Sequence, residues 1–164
     1  MSSTPTPVNW TKDQPAPTRA IRMLKVNFPQ VQNLGIYVCR NIKGTGTRSA
    51  HAQGRALDIG LRVDQPGEKL IGDGIFRALI RVAHRSGIDN VIWNREIWSV
   101  AHGGPRSFVG NYKNGAPRNP HTDHIHVEWT REGSQMDQLN FLELQIAIMR
   151  GGIEDLSKSL QNLA

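Results

Sequence analysis

Two short segments with alternating residues restrict the fold of this chain more than any other feature. In residues 55–61, RALDIGL, two leucines and an isoleucine share one face, and Asp58 falls on the other. In residues 124–129, HIHVEW, alternation places His124 and His126 on a single face. Because successive side chains of a β-strand point to opposite faces, both segments predict strands, and Asp58 lies opposite the side chains that face the core.

The rest of the chain combines helical patterns with strand patterns. Apolar residues recur at helical spacing over 67–87, and Gly87 is placed to end that helix. Thr18 is expected to cap an earlier helix, which Pro29 ends. The predicted elements are a helix over 19–28, a strand over 35–40, a strand over 55–61, a helix over 67–87, a hairpin over 90–100 that turns at Asn94–Arg95, a strand over 124–129 and a helix over 134–149. This order indicates an α+β domain around a small antiparallel sheet.

The length of 164 residues suits a single domain. We expect a flexible lead-in over 1–17, the folded domain over 18–133 and a C-terminal helical appendage over 134–164. A break is expected at Gly151–Gly152, and a last short helical piece follows it, with one apolar face formed by Ile153, Leu156, Leu160 and Leu163. The appendage has three possible roles: to cover the domain's own apolar surface, to join it to another module, or to mediate self-association. The oligomeric state is left open.

Composition restricts the partners of the chain. Lysines and arginines number 20 and acidic residues 14, which gives a net charge of +6 and favours polyanionic partners. The basic residues are scattered, which argues against a dedicated nucleic-acid groove. No apolar run approaches the ~20 residues that span a bilayer, and residues 1–17 lack a signal-peptide pattern. We therefore expect cytoplasmic synthesis and no stable membrane insertion. The single cysteine, Cys39, excludes an internal disulfide and is predicted to be a buried, inert thiol.

Three histidines and an aspartate within six positions of residues 119–129, NPHTDHIHVEW, indicate metal chemistry rather than core packing. A catalytic zinc ion takes three protein ligands and a water, lowers the pKa of that water and works with a general base. Spacing alone leaves two arrangements open. His124 and His126 both bind the metal if the strand includes them and Asp123 points away. If the strand begins only after Asp123, that carboxylate turns in towards His126.

The segment SAHAQGRALDIG resembles the S-x-H-x-x-G-x-A-x-D motif of zinc peptidases related to D-Ala-D-Ala carboxypeptidases and to the hedgehog signalling domain. The five fixed positions of that motif are Ser49, His51, Gly54, Ala56 and Asp58. The segments VIWNREIWS and HTDHIHV, in this order, resemble the extensin-like, D-Ala-D-Ala carboxypeptidase-like and phage L-Ala-D-Glu endopeptidase branch. The resemblance covers residues 30–130 and implies an α+β fold of this type around a Zn²⁺ site.

The resemblance also implies roles for individual residues. It assigns the zinc ligands to His51, Asp58 and His126. It assigns the general base to Asp123, at the start of an acid-x-x-His element in which glutamate is commoner but aspartate occurs in phage endopeptidases.

Further residues are expected to face the substrate. Arg40, expected on the strand before the zinc motif, is the candidate for stabilising the oxyanion, and Arg48 is the second candidate. Ser49 is a candidate hydrogen-bond donor near the site, and His121 and His124 are candidates for orienting the substrate. The glycine- and proline-rich residues 101–122 predict a long structured loop, a type that is often functional.

These inferences predict a zinc-dependent peptidase that hydrolyses peptide bonds in bacterial peptidoglycan stem peptides, with endolysin-like endopeptidase cleavage. The alternatives are a D-Ala-D-Ala carboxypeptidase and a catalytically inactive, zinc-containing module that binds the cell wall. A metal-dependent nuclease ranks last, because the first motif has no role in that chemistry. A wall enzyme without an export signal is expected to reach the wall after phage-type release by a separate membrane-permeabilising protein.

Overall fold

The computed structural model describes residues 8–111, 115, 118–136, 147–149, 151–152, 155 and 158. Its helices are α1 (Pro15–Asn27), α2 (Pro66–Val82) and α3 (Arg131–Ser134), and residues 147–149, 151–152, 155 and 158 are helical as well. Its strands are β1 (Gln32–Gly35), β2 (Ala56–Gly60), β3 (Ile88–Trp93), β4 (Glu96–Ser99), β5 (Arg106–Ser107) and β6 (His124–Trp129), and a 3₁₀ turn covers His51–Gln53. None of the helices in the described part of the chain is long and apolar enough to cross a membrane.

The strands form one antiparallel sheet, which confirms the predicted α+β class. Among the described residues, the strand order is β1-β2-β6-β3-β4-β5. The two strands that carry Asp58 and His126, β2 and β6, are therefore neighbours in the sheet, although 63 residues (61–123) lie between them in the sequence. The connection through α2 and the β3–β4 hairpin brings β6 back between β2 and β3.

The sheet has one face that builds the core. The side chains of Leu57 and Ile59 from β2 and of Ile125, Val127 and Trp129 from β6 are 0% exposed. They pack with apolar residues of α1 and α2, so both helices cover this face. Full burial of a large apolar side chain contributes about 1.5–3 kcal/mol, and this face therefore supplies much of the stability of the domain. The opposite face carries Asp58 and His126, as alternation predicts.

The hairpin predicted over 90–100 is confirmed, and its turn explains the sharp reversal. Asn94 and Arg95 have φ values of 46° and 69°. Two successive positive φ values are typical of a type I′ turn, whose twist matches that of the two flanking strands. Strands β3 and β4 pair from Asn90↔Ser99 to Trp93↔Glu96. The strand predicted over 124–129 is also confirmed and has the predicted bounds.

Helix α1 begins earlier than the sequence predicts. It starts at Pro15 instead of following a Thr18 cap, and the Thr18 hydroxyl donates a hydrogen bond of 2.8 Å to the carbonyl of Gln14. Proline suits the first turn of a helix because its φ is already helical and its missing N–H has no partner to lose there. The helix ends at Asn27, before Pro29, as predicted.

The strand predicted over 35–40 is wrong, and so is the expected burial of Cys39. The strand is β1, Gln32–Gly35, and its register against β2 shifts between Asn33 and Gly35, where φ reaches 137°. Because the chain leaves the sheet at this point, the following residues lose the packing of a strand. Ile36 stays buried, but Cys39 is exposed.

The predicted end of the second helix is also wrong. Helix α2 ends at Val82, and residues 83–87 form turns in which Arg85 and Ser86 donate backbone hydrogen bonds to the Val82 carbonyl. Gly87 has a φ of 61° and leads the chain into β3 instead of ending the helix directly.

The C-terminal prediction is tested only in part. Residues 137–146 of the predicted helix over 134–149 lie outside the described residues, as do residues 1–7 and the apolar face formed by Ile153, Leu156, Leu160 and Leu163. The break expected at Gly151–Gly152 is wrong, because both glycines are helical. Ile148 is 2% exposed and belongs to the core, and Arg77 of α2 forms an ion pair with Asp155. These contacts place the described C-terminal residues against the domain.

Candidate metal centre

Strand register brings two of the predicted ligands face to face. Asp58 of β2 and His126 of β6 are direct partners across the antiparallel pair. Side chains of directly opposite residues lie on the same face of a sheet and within contact distance. His51 joins them from the 3₁₀ turn that precedes β2. The 3₁₀ turn is short because Gly54 follows it with a φ of 65°, which reverses the chain into the strand.

The three side chains present one ligand atom each to a common point. His51 Nε2 lies 3.2 Å from Asp58 Oδ1 and 3.3 Å from His126 Nδ1. His126 Nδ1 lies 2.8 Å from Asp58 Oδ1. Within the described residues these three form the group of histidine and acidic side chains that could hold a metal ion. The predicted ligands are therefore brought together.

The outer ring nitrogens of both histidines have their own partners. His51 Nδ1 donates a 2.7 Å hydrogen bond to the backbone carbonyl of Ile36, which leaves the Nε2 lone pair facing the cluster. His126 is turned the other way, because its Nε2 lies 3.0 Å from Glu128 Oε1 and its Nδ1 faces the cluster. Partners of this kind fix the orientation of a metal-binding imidazole.

His126 and the carboxylates of Asp58 and Glu128 shift one another's pKa values in the direction that favours their charged forms. Burial alone would raise the pKa of Asp58, but its close contacts with His126 and His51 hold it well below its usual range. Burial disfavours the charged form of His126, yet the carboxylates of Asp58 and Glu128 raise its pKa to about 9. Burial would raise the pKa of Glu128, but its hydrogen bond with His126 lowers it to about 2. Without a metal, an imidazolium thus lies between two carboxylates near neutral pH.

A cavity of about 640 Å³ opens beside the cluster. It contains the three ligands and four of the residues predicted to face the substrate: Arg40, Ser49, His121 and His124. One wall comes from residues 40–49, and the other comes from the long loop over 101–122, which contributes Phe108 and residues 118–121. The loop predicted to be functional therefore does border the candidate site.

Asp123, the predicted general base, does not line this cavity. Its side chain is 68% exposed, and its Oδ1 lies 2.8 Å from His124 Nδ1. His124 is the first residue of β6, on the same face as His126, and its Nε2 lies 3.7 Å from Asp58 Oδ1. Of the two arrangements open from spacing, the structure has the one in which both histidines face the site and Asp123 points away.

The hydroxyl of Ser49 interacts with the backbone. It donates a 2.9 Å hydrogen bond to the carbonyl of Arg40 and accepts one of 3.2 Å from the N–H of Ala52. These contacts tie the segment before His51 to the 3₁₀ turn. Arg40 lies on an extended loop rather than on the expected strand, but it does border the cavity, whereas Arg48 does not.

His121 is held in an unusual backbone conformation for its residue type. Its φ is 51°, its side chain is buried, and its Nδ1 donates a 2.7 Å hydrogen bond to the carbonyl of Asn119. Burial, together with the neighbouring His126 and His124, lowers its pKa to about 4. The ring is therefore neutral at neutral pH, and its centroid lies 4.7 Å from that of His124.

Sequence reasoning missed several residues of the site, among them Glu128, Asn90, Lys43 and Arg118. Glu128 contacts Nε2 of His126, Asn90 donates a hydrogen bond to Glu128, and Lys43 and Arg118 add positive charge to the cavity wall. The alternation that groups His124 with His126 also places Glu128 on the same face two residues further on, so the pattern contained this signal. Lys43 and Arg118 lie in loops, where the sequence pattern does not show which way a side chain points.

Comparison with known proteins identifies the family of the chain. The family described as VldE, C-terminal domain, matches residues 11–126, more than two thirds of the chain. The matched segment begins before α1 and includes His51, Asp58 and His126. No curated protein and no solved structure gave a significant match. With the match extending over the whole three-residue cluster and most of the sheet, the chain belongs to the VldE C-terminal domain family.

Proposed function

We propose that this protein is a zinc-dependent peptidase that cleaves peptide bonds in the stem peptides of bacterial peptidoglycan. The observation that carries the proposal is the convergence of three ligand atoms, from His51, Asp58 and His126, beside a cavity of about 640 Å³. Three protein ligands with one open side are typical of catalytic rather than structural zinc sites. The resemblance to zinc peptidases of the D-Ala-D-Ala carboxypeptidase and hedgehog type supports the same assignment.

The donor set fits zinc. Zinc binds histidine nitrogen and carboxylate oxygen at about 2.0–2.2 Å, so tetrahedral ligand atoms lie about 3.3 Å apart. The observed separations are 3.2 and 3.3 Å from His51, and 2.8 Å between Asp58 and His126. When bound, zinc would act as a Lewis acid towards the scissile carbonyl and acidify the attacking water.

Proton transfer is assigned to the Asp123–His124 pair. His124 Nδ1 donates a hydrogen bond to the Asp123 carboxylate, so the lone pair of the ring is on Nε2, the nitrogen that faces Asp58. His124 thus accepts the proton of the attacking water and returns it to the leaving amine, while Asp123 orients the ring and stabilises its charged form. A direct role of Asp123 as general base would require its side chain to turn away from His124.

The cavity wall favours a substrate with carboxylate groups. Arg40, Lys43 and Arg118 border it, while the acidic residues Asp58 and Glu128 are both engaged by histidine. Stem peptides carry free carboxylates, and a net charge of +6 suits an anionic wall. We propose that Arg40, which borders the cavity, stabilises the developing oxyanion. We favour endopeptidase cleavage within the stem peptide over removal of a terminal D-alanine.

A second candidate function is a zinc-containing module that binds the wall without catalysis. The exposure of the Asp123 side chain, 68%, favours this alternative, because a direct general base would be expected inside the cavity. The position of His124 argues against it, since a second imidazole faces the cluster.

Mass spectrometry of muropeptides tests the proposal. Purified peptidoglycan is incubated with the zinc-loaded protein, the chelated protein and the variants His124→Gln, Asp123→Asn and, as a matched control at an exposed site, Glu132→Gln. New peptide ends should form with the wild type and the control and vanish on chelation. Loss of the general base should slow cleavage by about 10²–10⁴-fold in His124→Gln. Unchanged muropeptides from several wall types, with zinc bound, would favour the binding module.

The two variants also identify the group that takes the proton. If His124 is the base, His124→Gln loses more activity than Asp123→Asn. If Asp123 acts directly, the order is reversed and His124→Gln keeps most of its activity. The masses of the products separate cleavage within the stem from loss of a terminal residue.

A further inference from the structure

His126 interacts with two carboxylates, one on each ring nitrogen. Asp58, at 2.8 Å from Nδ1, belongs to the three-residue cluster. Glu128, at 3.0 Å from Nε2, lies on the opposite side of the ring. A neutral imidazole has one proton and one lone pair, so the nitrogen that keeps the proton decides which nitrogen is able to bind a metal.

Glu128 is itself held in place by contacts that do not involve the cluster. Asn90 and Glu128 are partners in the β3–β6 ladder, and the Asn90 side-chain N–H donates a 3.0 Å hydrogen bond to Glu128 Oε2. The remaining oxygen, Oε1, faces His126. The Glu128 side chain is 25% exposed, so much of its hydration has been replaced by these two partners. Sheet register therefore orients the carboxylate before any metal is bound.

From this arrangement we infer that Glu128 is a positioning residue that makes Nδ1, and not Nε2, the metal-binding nitrogen of His126. It accepts the Nε2–H, so the proton that zinc would displace is the one on Nδ1, the nitrogen that faces His51 and Asp58. His51 needs no such residue, because the backbone carbonyl of Ile36 does the same for its Nδ1. The inference rests on the three-residue metal site of the proposed function, but it does not depend on the reaction catalysed there.

Zinc affinity tests the inference without any substrate. Partners of this kind typically contribute 10–100-fold to metal affinity. Glu128→Ala should therefore weaken zinc binding about 10–100-fold, as measured by competition with a chromophoric chelator. Glu128→Gln keeps an acceptor oxygen but lacks the charge and should lose less. The control, Glu132→Ala, removes an exposed glutamate and should bind zinc like the wild type.

Nitrogen-15 NMR of the histidine rings supplies the second readout. In the zinc-loaded wild type, His126 should show a protected proton on Nε2 and a zinc shift on Nδ1, and in Glu128→Ala the protected proton should be lost. Wild-type zinc affinity in Glu128→Ala, or an Nδ1 proton in the zinc-loaded wild type, would overturn the inference, as would failure of the wild type to bind zinc. Normal zinc binding without peptidase activity would count against the proposed function alone.

Discussion

At the scale of single residues, Asp58 is the common partner of the histidines around the site. Its Oδ1 lies 2.8 Å from His126 Nδ1, 3.2 Å from His51 Nε2 and 3.7 Å from His124 Nε2. Without a metal, this carboxylate compensates the charge of a buried imidazolium. Metal binding exchanges that proton for the cation, so protons and metal compete for the same position.

This competition predicts that zinc binds more tightly as the pH rises. The two carboxylates raise the pKa of His126 to about 9, so at neutral pH zinc must displace a proton from Nδ1. The bound proton is lost as the pH rises through the folded-state value, so the apparent zinc affinity should increase by up to about tenfold per pH unit between about pH 6 and pH 8. Chelator competition at several pH values, corrected for the protonation of the chelator, measures this slope. Affinity that is independent of pH would contradict the assignment.

The residues of the site differ in how far the sequence predicts them. His51, Asp58 and His126 were predicted because a motif fixes their spacing and the strand pattern fixes their faces. The nitrogen that each histidine presents was not predictable, because it depends on partners as distant in sequence as Ile36 from His51. Asp123 was expected to act directly, and its contact with His124 depends on where β6 begins.

At the scale of elements, the turn that carries His51 is braced by the N-terminal segment. Gly54 has a φ of 65°, and a Cβ built on it would lie 1.8 Å from the backbone oxygen of Lys12. The backbone N–H of Gln14 donates a 3.0 Å hydrogen bond to the Gly54 carbonyl. The glycine of the motif therefore allows a second segment to pack directly against the turn.

Replacing Gly54 by alanine should destabilise the protein. The left-handed backbone conformation and the clash with Lys12 together should lower the free energy of unfolding by about 2–4 kcal/mol. Denaturant unfolding followed by circular dichroism measures the change. Gly46→Ala is the matched control, since a Cβ there meets nothing within 4 Å, and it should differ little from the wild type. Equal stability of the two variants would show that the turn adjusts to the added Cβ without a measurable cost.

Elements were predicted well where two local signals agree. The β3–β4 hairpin combines alternating apolar residues with a turn at Asn94–Arg95, and β6 combines alternation with a clear end. The strand expected over 35–40 had an apolar run but no alternation to fix its faces. Its sequence does not show that pairing with β2 ends at Gly35, since that depends on the register of another strand.

At the scale of the whole molecule, C-terminal residues complete the core. Ile148 is 2% exposed among core residues, and Gly152 lies close to Gly74 of α2. Of the three roles open for the appendage, covering the domain's own apolar surface is the one that these contacts support. The sequence left this choice open because the apolar pattern of a short helix does not identify the surface that it covers.

Truncating Ile148 should therefore affect the whole domain. Ile148→Ala should lower the free energy of unfolding by about 2–5 kcal/mol, as expected for a buried isoleucine. The neighbouring Met149 is 42% exposed, so Met149→Ala should have a small effect. Thermal and denaturant unfolding of the two variants gives the comparison. If both changes are equally small, the C-terminal residues contribute little to the fold.

The pairing of β2 with β6 has a consequence for how sequences of this kind can diverge. The same alignment puts Leu57 opposite Val127 in the core and Asp58 opposite His126 in the site. An insertion or deletion of one residue within either strand would exchange the two faces, burying ionisable side chains and exposing apolar ones. Length changes in these strands would therefore disrupt both the core and the metal site. The loops around the cavity can change length without this effect, and such changes would alter which substrates enter.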